Sequence, residues 1–285
     1  MFDVGNTKLV EFKKIREAKN LDCHIFGKLE YSNPAGSTKD RIAKNIIDKA
    51  LASGALREGD EIVEATSGNT GIALATYGSM LGFKVKIFMP ENMSTERKNF
   101  IQNAGAELIL TDPKLNVEGS LNAAEKYVAD NKNCFFADQF NNKCNYDAHY
   151  LSTGPEIWEQ SEGEVDAFIA GIGTGGTLLG VGDYLKEKNP NVELFAVLPA
   201  ENPHVIQGIG DGFNPPFFTQ NENVKEVIKI KNEEAMRYFD WINQKEGFSA
   251  GISSGANLCA ALKIAQKYQN FINIVIMCAD GADRY

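Results

Sequence analysis

The sequence predicts an α/β fold with two domains, each a mainly parallel twisted sheet flanked by helices. Short apolar runs rich in β-branched residues alternate along the chain with longer segments whose apolar residues recur at helical spacing. This alternation is typical of right-handed βαβ units, which build parallel sheets. With 285 residues, 43% of them hydrophobic, the chain can form one large core or two modest ones.

The elements follow from this pattern in chain order. Strands are predicted where β-branched or aromatic runs end at turn residues, at 24–29, 62–65, 85–89, 107–110, 167–170, 194–198 and 274–278. Helices are predicted where apolar residues share one face, from about residue 38 onwards and at 71–81, 96–104, 120–131, 176–188, 233–246 and 255–268. The segment 202–223 contains several Gly and Pro residues and predicts a long functional loop.

Composition excludes several classes of protein. The net charge of −9 disfavours nucleic acid or an anionic membrane as a main partner. No apolar run reaches the roughly 18 residues of a membrane-spanning helix, and the N-terminus does not read as a signal peptide. The five cysteines are widely spaced without a C-x-x-C pair, and there are three scattered histidines, so we expect no metal site. We therefore expect a soluble cytoplasmic protein.

Lys39 is the first candidate catalytic residue. It follows a Pro/Gly turn and precedes an amphipathic helix, with Ser37 as the expected N-cap and Asp40 three residues further on. Lys39 then lies in the first helical turn, where the helix dipole disfavours a protonated amine. A lysine of lowered pKa can form a Schiff base. The alternative is an ordinary solvated lysine.

Three Gly-rich turns, at 64–71, 171–177 and 250–256, each follow a predicted strand or loop and open a helix. Such turns direct backbone N–H groups towards an anion. Packing explains any single turn, but three turns carrying Ser or Thr hydroxyls indicate a ligand with more than one polar group.

The second turn also matches the dinucleotide pattern G-x-G-x-x-G through Gly171, Gly173 and Gly176. The acidic residue expected at the end of the next strand is missing, because that strand ends in Leu198 and Pro199. We therefore favour one phosphate group over a dinucleotide.

The chain resembles the cysteine synthase and cystathionine β-synthase family of pyridoxal-phosphate enzymes over nearly its whole length. The matching stretches are 5–7, 28–40, 66–71, 139–140, 153–158, 173–177, 208–210 and 251–256. The resemblance implies a fold-type II enzyme, usually a homodimer, with pyridoxal 5'-phosphate as cofactor. It also implies a smaller mobile domain at 36–140, carrying the carboxylate-binding loop, and a larger domain formed by 1–35 and 141–285 with the phosphate loop.

The resemblance also implies roles for individual residues. Lys39 would hold the cofactor as a Schiff base and then act as the proton-transfer base, Asn69 would bond the phenolic oxygen of the cofactor, and Ser253 would meet its ring nitrogen. The phosphate would lie on Gly173, Thr174, Gly175, Gly176 and Thr177. The substrate carboxylate would be held by Thr66, Ser67, Gly68, Asn69 and Thr70, with Gln139 assisting and Gly208 beside the substrate.

Asp211 departs from the family pattern, which usually has a small apolar residue at this position. One interpretation is a loop carboxylate that caps a turn between Gly210 and Gly212. The other is a base near the reacting Cβ, which would repel hydrosulfide and deprotonate water. The stretch 203–207 is also shorter than is usual in the family.

The expected reaction is β-elimination or β-replacement on a small L-amino acid. We favour L-cysteine and water giving L-serine and hydrogen sulfide, with Asp211 activating the water. The alternative is O-acetylserine sulfhydrylase activity, and a third hypothesis is a non-catalytic protein that carries the cofactor and binds a partner.

Overall fold

The computed structural model describes residues 3–66, 68–210, 218 and 223–285. Two of the predicted site residues, Ser67 and Asp211, lie outside the described residues. Strands and helices alternate along the chain, and the strands form two separate sheets. The predicted α/β class with parallel sheets flanked by helices is therefore confirmed.

The strands are β1 (Leu9–Glu11), β2 (His24–Leu29), β3 (Glu61–Ala65), β4 (Lys84–Pro90), β5 (Glu107–Thr111), β6 (Cys134–Phe136), β7 (Ala167–Gly171), β8 (Glu193–Pro199), β9 (Val224–Ile230) and β10 (Asn273–Cys278). The helices are α1 (Lys13–Lys19), α2 (Lys39–Ser53), α3 (Asn69–Met80), α4 (Thr95–Asn103), α5 (Asn116–Asp130), α6 (Cys144–Ala148), α7 (Gly154–Gln160), α8 (Gly176–Lys188), α9 (Asn232–Trp241) and α10 (Ile252–Lys267).

The larger sheet has six strands in the order β1-β2-β10-β7-β8-β9, and only the pair β1–β2 is antiparallel. Strand β10 lies between β2 and β7, so the end of the chain runs through the middle of this sheet. Its residues Asn273–Cys278 pair in register with His24–Leu29. The smaller sheet has the order β5-β4-β3-β6 and all its pairs are parallel. Most parallel crossovers carry a helix, such as α3 between β3 and β4 and α8 between β7 and β8, whereas the connection from β8 to β9 shows none among its described residues.

The seven predicted strands and the predicted helices are all present, within a few residues of their expected ends. One helix differs: the predicted 233–246 helix is α9, which continues as a π-helical turn at Ile242–Glu246. The pattern missed β1, β6, β9, α1, α6 and α7. Of these, β9 is an edge strand that contains three charged residues among four apolar ones without regular alternation, so the period-2 pattern does not identify it.

The start of α2 also differs from the prediction. Thr38, not Ser37, occupies the N-cap position and makes no side-chain cap bond. Ser37 still contributes, because its Oγ accepts a hydrogen bond from the backbone N–H of Lys39 at 3.2 Å. The Asp40 carboxylate accepts from the backbone N–H groups of Ala35 and Ser37 and from the Tyr77 hydroxyl. The turn before Lys39 is therefore held by the hydroxyl of Ser37 and by the carboxylate of Asp40.

A buried ion network fastens α2 to the larger sheet. The Arg41 guanidinium pairs with Glu30 at 2.7 Å and with Glu156 at 2.6 Å. Lys28, whose side chain is fully buried, pairs with the other oxygen of Glu156 at 2.8 Å. The network joins β2, α2 and α7 only two residues after Lys39. None of the helices in the described ranges is long and apolar enough to cross a membrane.

Candidate active site

A single cavity lies where loops that follow strands of both sheets meet the start of α2. The smaller sheet contributes the turns after β3 and β6, and the larger sheet contributes those after β7 and β10. Ligand sites in open parallel sheets form at the carboxyl ends of the strands, which is the edge used here. The predicted residues that line this cavity are Lys39, Thr66, Gly68, Asn69, Thr70, Gln139, Gly173, Thr174, Gly175, Thr177, Gly208 and Ser253.

Lys39 enters the cavity from the first turn of α2. Burial lowers the pKa of its amine, although the carboxylates of Asp280 and Glu30 oppose the shift. The direction agrees with the expectation from the sequence, but desolvation is the largest cause. A half-buried lysine that is less readily protonated is a competent nucleophile towards an aldehyde.

The loop after β3 is tied to the loop after β6. The Thr70 hydroxyl donates to Gln139 Oε1, and Gln139 Nε2 donates to the Ala65 carbonyl at 3.1 Å. Gly68 leaves no room for a side chain, since a Cβ there would lie 2.5 Å from Nη1 of Arg97. The two hydrogen bonds of Gln139 hold its amide beside the predicted carboxylate loop.

Glu64 supports the same pair of loops from beneath. Its two carboxylate oxygens accept the backbone N–H groups of Ala65 at 2.7 Å and Gln139 at 3.0 Å. Burial raises the pKa of Glu64 to about 8, against the lowering effect of these two bonds. Sequence reasoning did not assign a role to this residue.

The loop after β7 forms a cradle at the N-terminus of α8. Gly175 has a φ of +89°, which only glycine adopts without strain. A Cβ at Gly176 would lie 2.2 Å from Oδ1 of Asn145, and one at Gly173 would lie 2.5 Å from the carbonyl oxygen of Gly208. Gly176 itself does not line the cavity, but begins the helix whose free N–H groups favour an anion.

Hydroxyl groups in this cradle are oriented by buried side chains. Asn145 Nδ2 donates both to Thr174 Oγ1 at 2.9 Å and to the carbonyl of Gln139 at 2.8 Å, so it joins the cradle to the carboxylate loop. Nε2 of His149 lies 3.1 Å from Thr177 Oγ1. Burial lowers the pKa of His149 well below 6.5, so the ring is neutral and can share a hydrogen bond in either direction.

The cavity fits pyridoxal phosphate. It has a lysine of lowered pKa for the aldehyde and a glycine cradle at a helix N-terminus for the phosphate. Four buried polar atoms of lining residues have no hydrogen-bond partner within the described part of the chain, namely Thr38 Oγ1, Asn69 Oδ1, Gln207 Oε1 and Asn257 Oδ1. Buried polar groups are normally paired, so these atoms indicate a polar ligand. The individual contacts predicted for Asn69 and Ser253 stay predictions.

Two charged residues of the cavity wall were missed by sequence reasoning. Asp280 follows β10 directly, and the carboxyl end of a parallel strand is the signal that could have found it. Arg97 is 1% exposed in α4 and attracts Asp280, but no local motif marks it. Its place in the site depends on how α4 packs.

These parts define a class of protein, namely an enzyme whose lysine and anion cradle serve a phosphorylated aldehyde cofactor. Comparison with known proteins agrees. The family described as pyridoxal-phosphate dependent enzyme matches residues 1–280. Cysteine synthase 3 of Caenorhabditis elegans is 42% identical, with 99% of this chain and 86% of the relative covered.

Solved structures give the same result. A hydrogen sulfide-producing enzyme from Fusobacterium nucleatum superposes with a TM-score of 0.94 at 37% identity, covering 99% of this chain and 97% of that one. Cysteine synthase from Entamoeba histolytica gives a TM-score of 0.92 at 41% identity, covering 99% and 87%. The chain belongs to the pyridoxal-phosphate-dependent enzymes of the cysteine synthase type. It uses pyridoxal phosphate in cysteine metabolism.

Proposed function

We propose that the enzyme converts L-cysteine and water to L-serine and hydrogen sulfide, with Asp211 activating the water. The observation that carries the proposal is that Gly208 and Ile209 line the cavity, three and two residues before this carboxylate in the chain. A carboxylate near the reacting carbon repels hydrosulfide and can accept a proton from water. Asp211 itself lies outside the described residues.

The turn that leads to Asp211 is packed against the phosphate cradle, which supports this assignment. The backbone N–H of Gly210 donates to the Ile172 carbonyl at 3.0 Å. A Cβ at Gly171 would lie 2.8 Å from Cγ2 of Ile209, so this contact requires glycine at the end of β7. The F. nucleatum neighbour is a hydrogen sulfide-producing enzyme, which agrees with sulfide release.

Bound pyridoxal phosphate would withdraw electrons from Cα of the amino acid, so that the α-proton becomes acidic and the β-substituent can leave. The residues of the chain would do the rest. Lys39 Nζ would hold the cofactor and then take the α-proton, since its lowered pKa keeps a neutral fraction available. The cradle at 173–177 would hold the phosphate and Ser253 would face the ring nitrogen.

The substrate carboxylate would be bound by the loop at 66–70 together with Gln139. Gln139 is oriented by Thr70 and by Glu64, so the donors would be set before substrate arrives. We also propose that 36–140 forms a smaller domain that closes over this loop and excludes water, against a larger domain of 1–35 and 141–285. The proposed assembly is a cytoplasmic homodimer.

The second candidate function is O-acetylserine sulfhydrylase activity. It is favoured by the cysteine synthases among the relatives, in C. elegans and E. histolytica. Lys39, the carboxylate loop and the phosphate cradle would serve both reactions equally. Only the group that delivers the nucleophile to Cβ separates them.

The test compares the products of the wild type with those of Asp211→Asn. Wild type with cysteine alone should give equal amounts of serine and sulfide. The variant should lose about 10²–10⁴-fold in serine formation, while sulfide continues to form together with pyruvate and ammonia. Asp240→Asn, which changes an exposed carboxylate of α9, is the matched control.

The opposite set of products would refute the proposal. Rapid cysteine formation from O-acetylserine and sulfide, with little serine from cysteine, would assign the enzyme to cysteine synthesis. Asp211 would then be a turn residue. Its substitution would change neither the ratio of serine to sulfide nor the ratio of pyruvate to sulfide formed from cysteine.

A further inference from the structure

Asp280 is a buried carboxylate in the cavity wall to which the proposed reaction assigns no role. It is 2% exposed and directly follows β10. Its Oδ2 accepts a hydrogen bond from Nδ2 of Asn69 at 2.7 Å and another from the Tyr285 hydroxyl at 3.0 Å. A buried carboxylate needs such partners, but here one of them is itself a predicted cofactor ligand.

The backbone around Asp280 holds two other parts of the site. Asp280 forms an isolated antiparallel bridge with Ser37, and the Ala279 carbonyl accepts from the N–H of Thr38 at 2.8 Å. The Asp280 carbonyl accepts from the N–H of Gly251 at 2.9 Å, at the start of α10. The carboxylate therefore has a defined position relative to the segments that carry Lys39 and Ser253.

The bond to Asp280 decides which way the Asn69 amide points. A carboxylate can only accept, so the amide must turn its nitrogen towards Asp280. One N–H is used in that bond and the second is left for another acceptor. The opposite edge, Oδ1 of Asn69, is buried and has no partner among the described residues. Rotating the amide by 180° would place two acceptor oxygens 2.7 Å apart.

The charges around Asp280 favour the ionised acceptor. The carboxylate is attracted by Arg97 and Arg284, and by Lys39 across the cavity. Burial raises the pKa of Asp280, and Arg97, Asn69, Tyr285 and Arg284 oppose that shift, in this order. Asn69 and Arg97 belong to helices of the smaller sheet, whereas Asp280 belongs to the larger one, so the contact also bridges the two sheets.

We propose that Asp280 is a positioning residue, which locks the Asn69 amide with its free N–H directed at the phenolic oxygen of pyridoxal phosphate. The proposal rests on the proposed contact between Asn69 and the cofactor. In this role Asp280 acts through its hydrogen bond to Asn69. A phenolic oxygen of the cofactor is an acceptor, so a flipped Asn69 would oppose it with an oxygen.

The experiment is a double-mutant cycle on the holoenzyme with Asp280→Asn and Asn69→Ala. The readouts are the absorption band of the bound cofactor and the dissociation constant of pyridoxal phosphate, measured by removing it and titrating it back. Asparagine at 280 fills the same volume and offers either an oxygen or a nitrogen, so the Asn69 amide is no longer locked. We expect each single variant to shift the band and to weaken binding about tenfold.

In the Asn69→Ala background, Asp280→Asn should change neither readout further, because the group it orients is gone. Asp240→Asn is the matched control, since it removes an exposed carboxylate of α9 that does not line the cavity. It should leave the band and the dissociation constant at their wild-type values.

Two different results would overturn the proposal, and each would identify which of the two contacts is wrong. If Asn69→Ala leaves the band and the binding constant unchanged, the contact of Asn69 with the cofactor is wrong. If Asn69→Ala has its effect but Asp280→Asn has none, or adds fully to it, Asn69 keeps its role and Asp280 does not act through it.

Discussion

Lys39 owes its lowered pKa to its surroundings more than to its position in a helix. Desolvation is the largest cause, and the carboxylates of Asp280 and Glu30 limit the shift. The neighbouring turn is held by Ser37 and Asp40, which fixes where α2 begins. Polar contacts of its neighbours thus hold the reactive lysine in place at the cavity.

Replacing Lys39 by alanine should abolish turnover and the covalent link to the cofactor, because the Schiff base forms on the amine that this change removes. Purified wild type should absorb at roughly 410–420 nm, and borohydride reduction followed by peptide mapping should label Lys39. Circular dichroism should show an unchanged fold in the variant. Lys44→Ala, on the same helix and 40% exposed, is the control and should behave as wild type. Turnover retained by Lys39→Ala would refute the assignment.

At the scale of elements, the phosphate cradle depends on how closely the loop after β7 approaches its neighbours. The space for a side chain at Gly176 is occupied by Asn145, which also holds Thr174 and the backbone of Gln139. One glycine therefore keeps the phosphate cradle and the carboxylate loop in their relative positions. The helix N-terminus alone would not achieve this.

Gly176→Ala should therefore weaken pyridoxal phosphate binding by about tenfold or more, since the new methyl group must displace Asn145 from Thr174. Titration of the cofactor into the resolved enzyme measures this change. Gly54→Ala provides the comparison, because Gly54 ends α2 with a φ of +72° and has open space around it. It should cost about 1 kcal/mol of unfolding free energy through backbone strain and leave cofactor affinity unchanged. Equal affinities in both variants would contradict this account of the cradle.

At the scale of the whole molecule, two buried carboxylates give opposite contributions to stability as the pH changes. Burial raises the pKa of Glu30, but Arg41 and Thr7 outweigh it, so the net pKa lies below 4.5. Glu30 therefore stabilises the fold above its unfolded pKa, and this contribution is lost as the pH falls through the lowered folded value. Glu64, with a pKa raised to about 8, makes the fold less stable as the pH rises from 4.5 towards 8.

Glu30→Gln should lower the unfolding free energy at pH 7 by about 3–5 kcal/mol, because Arg41 keeps only one of its two carboxylate partners in a buried site. The difference from wild type should shrink under acid conditions. Glu64→Gln should show the reverse trend, gaining on wild type by at most about 1.4 kcal/mol per pH unit between pH 4.5 and 8. Denaturant unfolding at a series of pH values measures both. If the unfolding free energy of both variants follows pH in parallel with that of the wild type, neither carboxylate is coupled to folding as described.

Local pattern was sufficient for much of this molecule. The ends of β2 and α8 were predicted to the residue, because each is bounded by turn or glycine signals that act over a few residues. The glycine turns and Lys39 were likewise found from short motifs, and the structure brings them to one cavity. Their individual roles stay predictions, as do those of Ser67 and Asp211.

What the sequence determined by itself is therefore the α/β class, seven of the ten strands and seven of the ten helices named in the described ranges, and most of the segments that carry the site. Only the tertiary structure decided that Asp280 meets Asn69, that Glu64 holds Gln139 and that Arg97 lies behind Gly68. These pairs are up to 211 positions apart, and they meet because β10 is inserted between β2 and β7 while β6 joins the far edge of the smaller sheet. The order of the strands is set by the total apolar surface that both sheets bury. A short sequence motif reflects only its own residues, so it cannot predict that order.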